Sequence, residues 1–198
     1  MRSRDPKKEK AIRRKAMEMI VKDGFDGLSM QKLAKAAEVS PARIYIYFKD
    51  REDLILQVFE EVNGEMLKAT IKGIDPDMDF NEGMKVQWFN RAEYFMKHQL
   101  EVQFFEQLRY SPLYDKTISI ASKAFGESMS KFYYNAIERK DLLPLPFEVF
   151  WATAFAPLYQ LVKFHTQGRS YVTKNFRLTD EMMEQTLKLV LKALKPDQ

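Results

Sequence analysis

Residues 43–51 place basic and phenolic side chains close together along the chain. Arg43, Tyr45, Tyr47, Lys49 and Arg51 occupy every second position of this segment. A guanidinium can pair with guanine or hold a phosphate, and a phenolic hydroxyl can donate to a phosphate oxygen. This segment therefore predicts contact with a polyanion. The plainer alternatives are half-buried packing for either tyrosine and a solvated charge for Arg43.

Two short helices would position these side chains. Ser29 is a typical N-cap, and apolar residues at 30, 33, 34 and 37 follow at the spacing of one helical face. Residues 37–39 indicate a tight turn, after which Ser40 and Pro41 begin a second helix, extending to about Phe48. That helix is too short to be stable alone, so it must pack against its neighbours. Two short helices joined by a tight turn predict a helix-turn-helix.

The second helix of such a motif enters the major groove with its N-terminal residues toward the base edges. By that geometry Pro41, Ala42, Arg43 and Tyr45 would face the groove. Arg43 could pair with guanine and Ala42 could contact a thymine methyl group. The hydroxyls of Tyr45 and Tyr47 could reach phosphates.

The segment 33–54, LAKAAEVSPARIYIYFKDREDL, resembles the DNA-binding signature of the TetR/AcrR family of bacterial one-component repressors. The resemblance extends upstream through residues 16–30 and covers about the first 60 residues. The rest of the chain matches the family only in length and helical character. One departure is Glu38, where many members carry glycine. We expect Glu38 to keep the turn in a conformation that is open to other residues.

The resemblance implies an all-α protein with a three-helix helix-turn-helix DNA-binding domain at residues 1–52. Residues 53–198 would form a C-terminal helical bundle for effector binding and dimerisation. The resemblance implies a transcriptional regulator, expected to be a repressor, that binds a palindromic operator on double-stranded DNA as a homodimer and is released by a small effector. The positions of Ser29, Gln31, Tyr45 and Arg51 match backbone contacts in the family. The complete set of candidate DNA-contacting residues is Ser29, Gln31, Ser40, Pro41, Ala42, Arg43, Tyr45, Tyr47, Lys49 and Arg51.

Charge is distributed unevenly along the chain. Residues 1–51 contain 14 Lys/Arg and 7 Asp/Glu, whereas residues 52–198 contain 18 Lys/Arg and 21 Asp/Glu. A basic N-terminal end indicates a polyanionic partner. A helix is predicted to start at Asp5–Pro6 and to end at Gly24. Lys7, Lys8 and Lys10 lie in its first turn, where their charge opposes the helix dipole. Phosphate nearby would relieve this repulsion, although a solvated basic tail is the alternative.

Composition predicts a globular chain, with 45% hydrophobic and 30% charged residues. The absence of cysteine excludes disulfides and thiolate metal sites, which fits a reducing cytoplasm. We expect no signal peptide, and the uncharged stretch 149–162 is too short to span a bilayer. Strand-like alternation is absent, so the pattern also predicts an all-α class. The helices predicted after residue 50 cover residues 51–72, 80–98, 100–110, 113–140 and 147–167, with a last helix capped by Thr179.

Aromatic residues crowd the C-terminal part beyond what a bundle of this size needs. Core packing is the alternative for each one taken singly. Pockets for small molecules are mostly apolar with a few polar groups, and Arg109 and His165 could supply those groups. We therefore expect a hydrophobic or aromatic effector. The candidate ligand-contacting residues are Trp88, Phe104, Arg109, Tyr133, Trp151, Phe155, Tyr159 and His165.

The last two helices carry more apolar surface than one chain can cover. The final helix has one stripe led by Met183 and Leu187 and another led by Met182 and Leu189, and one of them needs a partner. Pairing with a second copy would give a four-helix bundle around a twofold axis. The candidate dimer residues are Leu161, Phe164, Met183, Leu187, Val190 and Leu194.

Catalysis is not expected. The two histidines, His98 and His165, form no metal-binding pair, and glycines are too far apart for a phosphate-binding loop. We expect no enzyme activity, no cofactor and no metal. A different class of function is a helical carrier of lipids or small molecules, with the basic N-terminus on an anionic membrane. The first helix lacks a strongly apolar face opposite its lysines, which counts against that alternative, and no membrane partner is expected.

Overall fold

The computed structural model describes residues 5–196, apart from the side chains of Glu127 and Ser128. Within these residues the chain is α-helical and contains no strand, only an isolated bridge between Arg169 and Lys174. The predicted all-α class is therefore confirmed. The helices are α1 (Pro6–Gly27), α2 (Met30–Ala36), α3 (Pro41–Ile44), α4 (Arg51–Thr70), α5 (Phe80–Lys97), α6 (Gln99–Arg109), α7 (Tyr114–Glu138), α8 (Phe147–Gln167) and α9 (Asp180–Leu194).

Capping side chains begin α1, α2 and α9 where the sequence predicts, whereas the Ser40 side chain forms no cap hydrogen bond at the start of α3. The Asp5 carboxylate accepts from the backbone N–H groups of Lys7 and Lys8, which lie 3.1 and 3.4 Å away. Ser29 accepts from the N–H of Lys32 at 3.2 Å, and Thr179 begins α9 in the same way. Each cap satisfies amide groups that lack a partner within the helix.

Two helix ends differ from the predicted ones. Gly24 does not end α1 but kinks it, with φ 71° and ψ −176°, and the helix continues to Gly27. Helix α3 ends at Ile44 instead of reaching Phe48. The chain nevertheless stays coiled there, because the N–H groups of Tyr47 and Phe48 both donate to the Ile44 carbonyl.

The chain divides into two compact units. One comprises Met1–Glu65 and His98–Ala124, and the other comprises Met66–Lys97 and Phe125–Gln198. This division differs from the boundary expected between residues 52 and 53. The physical reason is that the first part of α4 and all of α6 bury side chains in the same core as α1 to α3.

In the first unit α1 packs against α2 and α6, and α2 packs against α3. Ile12, Leu33, Ile44, Leu54 and Phe104 are fully buried in its core. Burial of an apolar side chain of this size contributes about 1.5–3 kcal/mol. Ile44 in particular anchors α3, which explains how a helix of four residues is held in place.

In the second unit α8 packs against α5 and α9, and α5 also packs against α9. Trp88 of α5 is fully buried, and its indole N–H donates to the Ala154 carbonyl of α8 at 2.9 Å. Pro157 lies inside α8, as the sequence indicates, while Phe155 and Leu158 beside it are buried. This indole bond fixes α5 and α8 in register.

Candidate functional site

The outer face of the helix-turn-helix is polar and basic. Gln31 on α2 and Ala42 on α3 are exposed, and Arg43 is half-buried. Tyr45, in the turn directly after α3, is 54% exposed. Among the described residues the Arg43 guanidinium and the Tyr45 hydroxyl have no hydrogen-bond partner or ion pair. These groups are therefore available for an external acceptor such as a phosphate or a base edge.

Other candidate DNA-contacting residues flank this face. Ser40 and Pro41 are exposed at the start of α3, and Lys49 is exposed before α4. Ser29 is half-buried, and its hydroxyl is occupied by the cap of α2. The predicted residues of α2 and α3 are thus exposed or half-buried, and Ser29 acts by holding the start of α2.

Tyr47 departs from the expected orientation. Its ring is only 5% exposed, and its hydroxyl accepts from the backbone N–H of Asp5 at 2.9 Å. Two residues after the exposed Tyr45, the chain has turned this side chain into the core. Tyr47 therefore ties the start of α1 to the end of α3, and we remove it from the proposed DNA-contacting set.

Arg51 also has a structural partner. Its Nη2 donates to the Phe25 carbonyl near the end of α1, and its side chain is partly buried. Its buried Nε has no partner among the described residues. The expected backbone contact from Arg51 is not the role its environment favours, since the side chain joins α4 to α1.

The start of α4 is held by two carboxylates. Asp50 accepts from the N–H of Asp53 at 2.8 Å, and Asp53 accepts from the N–H of Lys49 at the same distance. The side-chain amide of Gln57, and then the N–H of Lys49, hold the pKa of the Asp53 carboxyl below its usual value. These bonds fix the connection that follows α3.

Glu38 differs from the expectation for the turn. Its φ is +55°, which lies in the left-handed region that favours glycine. The turn therefore has the conformation for which glycine is suited, and Glu38 adopts it at a cost in backbone energy. The motif itself is intact, since α2 and α3 both form.

The lysines of α2 were not among the DNA-contacting residues predicted from the sequence. Lys32 and Lys35 are exposed on the helix whose buried side carries Leu33 and Ala34. Their spacing against those apolar residues was a usable signal. Lys7 and Lys8 of α1 are also exposed, and the bond between Tyr47 and Asp5 brings the start of their helix to the end of α3.

The candidate ligand-contacting residues do not form one set. Phe104 is fully buried in the core of the first unit, and Arg109 is an exposed residue of that unit, 3.9 Å from Glu106. The remaining six belong to the second unit. Phe104 and Arg109 are therefore removed from the proposed ligand site. Their positions in the sequence, among aromatic residues, did not reveal this separation.

Three of the other six residues form hydrogen bonds with backbone groups of their own unit. Trp88 donates to the Ala154 carbonyl, and the Tyr133 hydroxyl donates to the Leu145 carbonyl at 2.6 Å. The Nδ1 atom of His165 accepts from the N–H of Leu178 at 3.0 Å, which holds the segment after α8. These side chains support the fold of the second unit.

The last three, Trp151, Phe155 and Tyr159, surround Arg91, a residue that the sequence analysis did not select. The Arg91 Cζ atom lies 4.9 Å from the Trp151 ring centre and 4.4 Å from that of Phe155. Its Nη1 donates to the Tyr159 hydroxyl at 3.0 Å. The available sequence signal for Arg91 was its charge within the apolar part of α5, since Trp88 and Ala92 on either side are predicted to lie in the core.

The dimer stripe that the sequence predicts on α9 is turned inward. Met183, Leu187, Val190 and Leu194 are all buried in the core of their own unit, so they cannot serve as the contact with a partner. The second stripe of α9 is the outer one, because Leu189 is 65% exposed and Met182 is also exposed. Patterning alone could not distinguish these stripes, since both are apolar.

The α8 candidates lie at the edge of the exposed surface. Leu161 is half-buried, and the Phe164 ring packs edge-on against Tyr171 and Phe176. Phe164 also lines an open cavity of about 370 Å³. Exposed positions of α8 form a different stripe, at residues 149, 152, 156, 160 and 163.

Neither a metal centre nor a bilayer-spanning element emerges from the described residues. Their carboxylates and histidines form no group of three or more that could hold an ion. No helix among them combines the length and apolarity needed to cross a membrane.

Comparison with known proteins places this geometry in a family. The model for "Bacterial regulatory proteins, tetR family" matches residues 12–58, which contain α2, α3 and the turn between them. The uncharacterized HTH-type transcriptional regulator YhgD of Bacillus subtilis is 27% identical over 100 residues, which are 50% of this chain and 52% of YhgD. The chain thus spans about half the length of that curated relative.

Solved structures resemble the chain over nearly its whole length. A TetR family transcription regulator from Marinobacter aquaeolei VT8 is 26% identical, with a TM-score of 0.78 and 100% of both chains covered. A putative TetR family regulator from Vibrio parahaemolyticus is also 26% identical, with a TM-score of 0.79, covering 96% of this chain and 99% of its own. These names describe regulators rather than enzymes, in agreement with the expectation from the sequence. The match of the helix-turn-helix to the family model, together with the likeness of the helical fold that follows, supports the assignment of the chain to the TetR family of bacterial regulatory proteins.

Proposed function

We propose that this protein is a DNA-binding transcriptional repressor that binds a palindromic operator as a homodimer and is released by a small effector. The observation that carries the proposal is the pair of external groups at α3. Arg43 and Tyr45 have no internal partners among the described residues, while Ile44 between them is fully buried. A short helix that is buried on its inner side and polar on its outer side is suited to base recognition in a DNA groove.

The dimer is proposed from the outward faces of α8 and α9. The stripe of α9 contains Met182, Thr186, Leu189 and Ala193, and only Thr186 of these is half-buried. The stripe of α8 includes Ala152 and Ala156, small residues that allow two helices to approach closely. Two copies joined across these faces would be related by a twofold axis. Such a dimer presents two α3 helices, and this symmetry is why the operator is expected to be palindromic.

Release by an effector is proposed from the family and from the aromatic residues of the second unit. The physical requirement is that the effector binds the DNA-competent state less tightly than the other state. The residues proposed to meet the effector are Trp151, Phe155 and Tyr159, together with Arg91.

Selection from a random duplex library, followed by fluorescence anisotropy, tests DNA binding. We expect a palindromic consensus and an affinity that falls steeply with salt, because bound phosphates release counterions. Arg43→Ala should change the preferred base at one position per half-site, at a cost of about 1–3 kcal/mol. Arg109→Ala removes an exposed arginine of the same unit that is paired with Glu106, and it should leave the consensus unchanged.

Two results would contradict the proposal. One is an affinity for DNA that does not change between low and high salt. The other is recovery of the wild-type consensus by the Arg43→Ala protein, which would exclude Arg43 from base recognition. Co-sedimentation with anionic vesicles provides the control for a membrane-binding carrier, and we expect none.

A further inference from the structure

Arg91 is a positive charge in the interior of the second unit. It is only 3% exposed. Its Nη1 donates to the Tyr159 hydroxyl at 3.0 Å and its Nη2 donates to the Gln87 side-chain carbonyl at 3.5 Å, so both acceptors are neutral. Among the described side chains no carboxylate forms an ion pair with it, and its buried Nε–H has no acceptor. The charge is therefore not neutralised within the described part of the chain.

Arginine side chains stay charged in proteins, so a buried guanidinium cannot avoid this cost by becoming neutral. Removing the charge from water is unfavourable unless an anion and further hydrogen bonds compensate for it. The rings of Trp151 and Phe155 provide attraction through their faces. Contacts of that kind recover only part of the lost hydration, and none of the described residues supplies an acceptor with a negative charge.

The surroundings of Arg91 indicate what would carry that negative charge. Trp151 and Phe155 lie against each other, with ring centres 4.7 Å apart, and Phe125 lies 5.3 Å from Trp151. Such walls suit an apolar or aromatic body. The free Nε–H and a neighbouring Nη–H form the fork that matches one carboxylate group. A phosphate dianion would bring more charge than a single guanidinium balances.

We propose that Arg91 is the anion-recognising residue of the effector site, and that the effector carries a carboxylate on an apolar or aromatic body. This inference rests on the proposed function, since it gives the chemical class of the molecule that would release the DNA. The guanidinium lies over the Trp151 and Phe155 rings, Tyr159 fixes one of its nitrogens, and the Nε side receives the carboxylate.

Isothermal titration calorimetry with matched acids and amides tests the proposal. The probes are 2-naphthoate with 2-naphthamide and octanoate with octanamide, titrated into the full-length protein without DNA. We expect at least one acid to bind about tenfold or more tightly than its amide, as for hydrogen bonds to charged groups. Arg91→Met should bring that ratio close to one. Lys97→Met removes an exposed cation of the same helix, paired with Glu93, and should preserve the ratio.

A second variant and a second measurement guard against a misfolded Arg91→Met protein. Arg91→Lys keeps the charge but lacks the planar fork, so it should retain part of the preference for the acid. The preferred acid should also raise the thermal unfolding midpoint of the wild type, because it binds the folded state. The amide should raise that midpoint less.

The proposal is overturned if the wild type binds neither acid more tightly than its amide, or if a folded Arg91→Met protein retains the preference. Because the titration contains no DNA, its failure leaves the DNA-binding proposal standing. Conversely, a protein that binds no DNA could still discriminate acids from amides, so the two failures are distinguishable.

Discussion

Tyr45 and Tyr47 lie two positions apart but face different surroundings, and replacing each by phenylalanine separates contact from support. Tyr47→Phe keeps the buried ring and removes the acceptor for the Asp5 N–H, 2.9 Å away. One neutral hydrogen bond contributes about 0.5–1.5 kcal/mol, so the free energy of unfolding should fall by about 1 kcal/mol. For a chain of this size the midpoint should fall by about 2–4 °C. Tyr45→Phe alters an exposed group and should change stability by less than about 0.5 kcal/mol.

In DNA binding the larger effect should come from Tyr45→Phe rather than from Tyr47→Phe. Tyr45→Phe removes a hydroxyl proposed to reach a phosphate, and a hydrogen bond to a charged acceptor contributes about 1.5–3 kcal/mol, or tenfold and more in affinity. Tyr47→Phe should weaken binding less, and only through a looser start of α1. Chemical denaturation followed by circular dichroism measures stability, and anisotropy with the selected operator at fixed salt measures affinity. A tenfold loss of affinity in Tyr47→Phe with unchanged stability would refute the assignment.

Three further outcomes are expected. Glu38→Gly should raise the free energy of unfolding in urea by about 0.5–1 kcal/mol, because glycine adopts a φ of +55° without strain, and a decrease would contradict that reading of the turn. The pKa of the Asp53 carboxyl is lowered in the folded protein, so its ionised form stabilises the fold. This stabilisation is fully present above the unfolded pKa of about 3.9 and is lost as pH falls through the lower folded pKa. Asp53→Asn should therefore flatten the acid side of the stability profile measured by circular dichroism, and an unaltered profile would exclude this carboxyl. Leu189→Glu, at a 65% exposed position, should yield a folded monomer in analytical ultracentrifugation. Leu187→Glu, at a 4% exposed position, should instead unfold the chain. A folded dimer of the Leu189→Glu protein would exclude the outward stripe of α9 as the dimer contact.

Local chemistry was sufficient to predict most of the fold. Caps such as Asp5 and Ser29, and proline at the first helical position, mark helix starts by the amide groups they satisfy or spare, and these signals need only neighbouring residues. The end of α3 was less predictable because four residues are too few to define a stripe. Whether Tyr45 or Tyr47 turned inward depended on the bond to Asp5, which lies 42 positions away.

The difference between local signals and contacts over long distances in the chain also explains the missed and misassigned site residues. Arg91 was overlooked because a charged residue within a helix usually indicates an exposed position. Its partner Tyr159 also lies 68 positions further along the chain. On α9, Leu187 and Leu189 are equally apolar, so hydrophobicity cannot tell a core of one chain from a contact between two. Only the packing of α9 against α8 and α5 decides which stripe remains outside.

Glu38 and Arg91 both cost the folded protein free energy, but the physical origin of the cost differs. At Glu38 the cost is conformational and lies in an exposed turn, so no bound molecule removes it and glycine does. At Arg91 the cost is electrostatic, and a ligand's negative charge can remove it. Trp88 and Phe155 are already packed against protein neighbours, so a ligand adds little to their burial. An effector must distinguish two states of the protein by a difference in free energy. A charge that is neutralised only when the effector is bound supplies such a difference, and for this reason Arg91, more than the aromatic residues around it, is where effector binding and DNA release would be coupled.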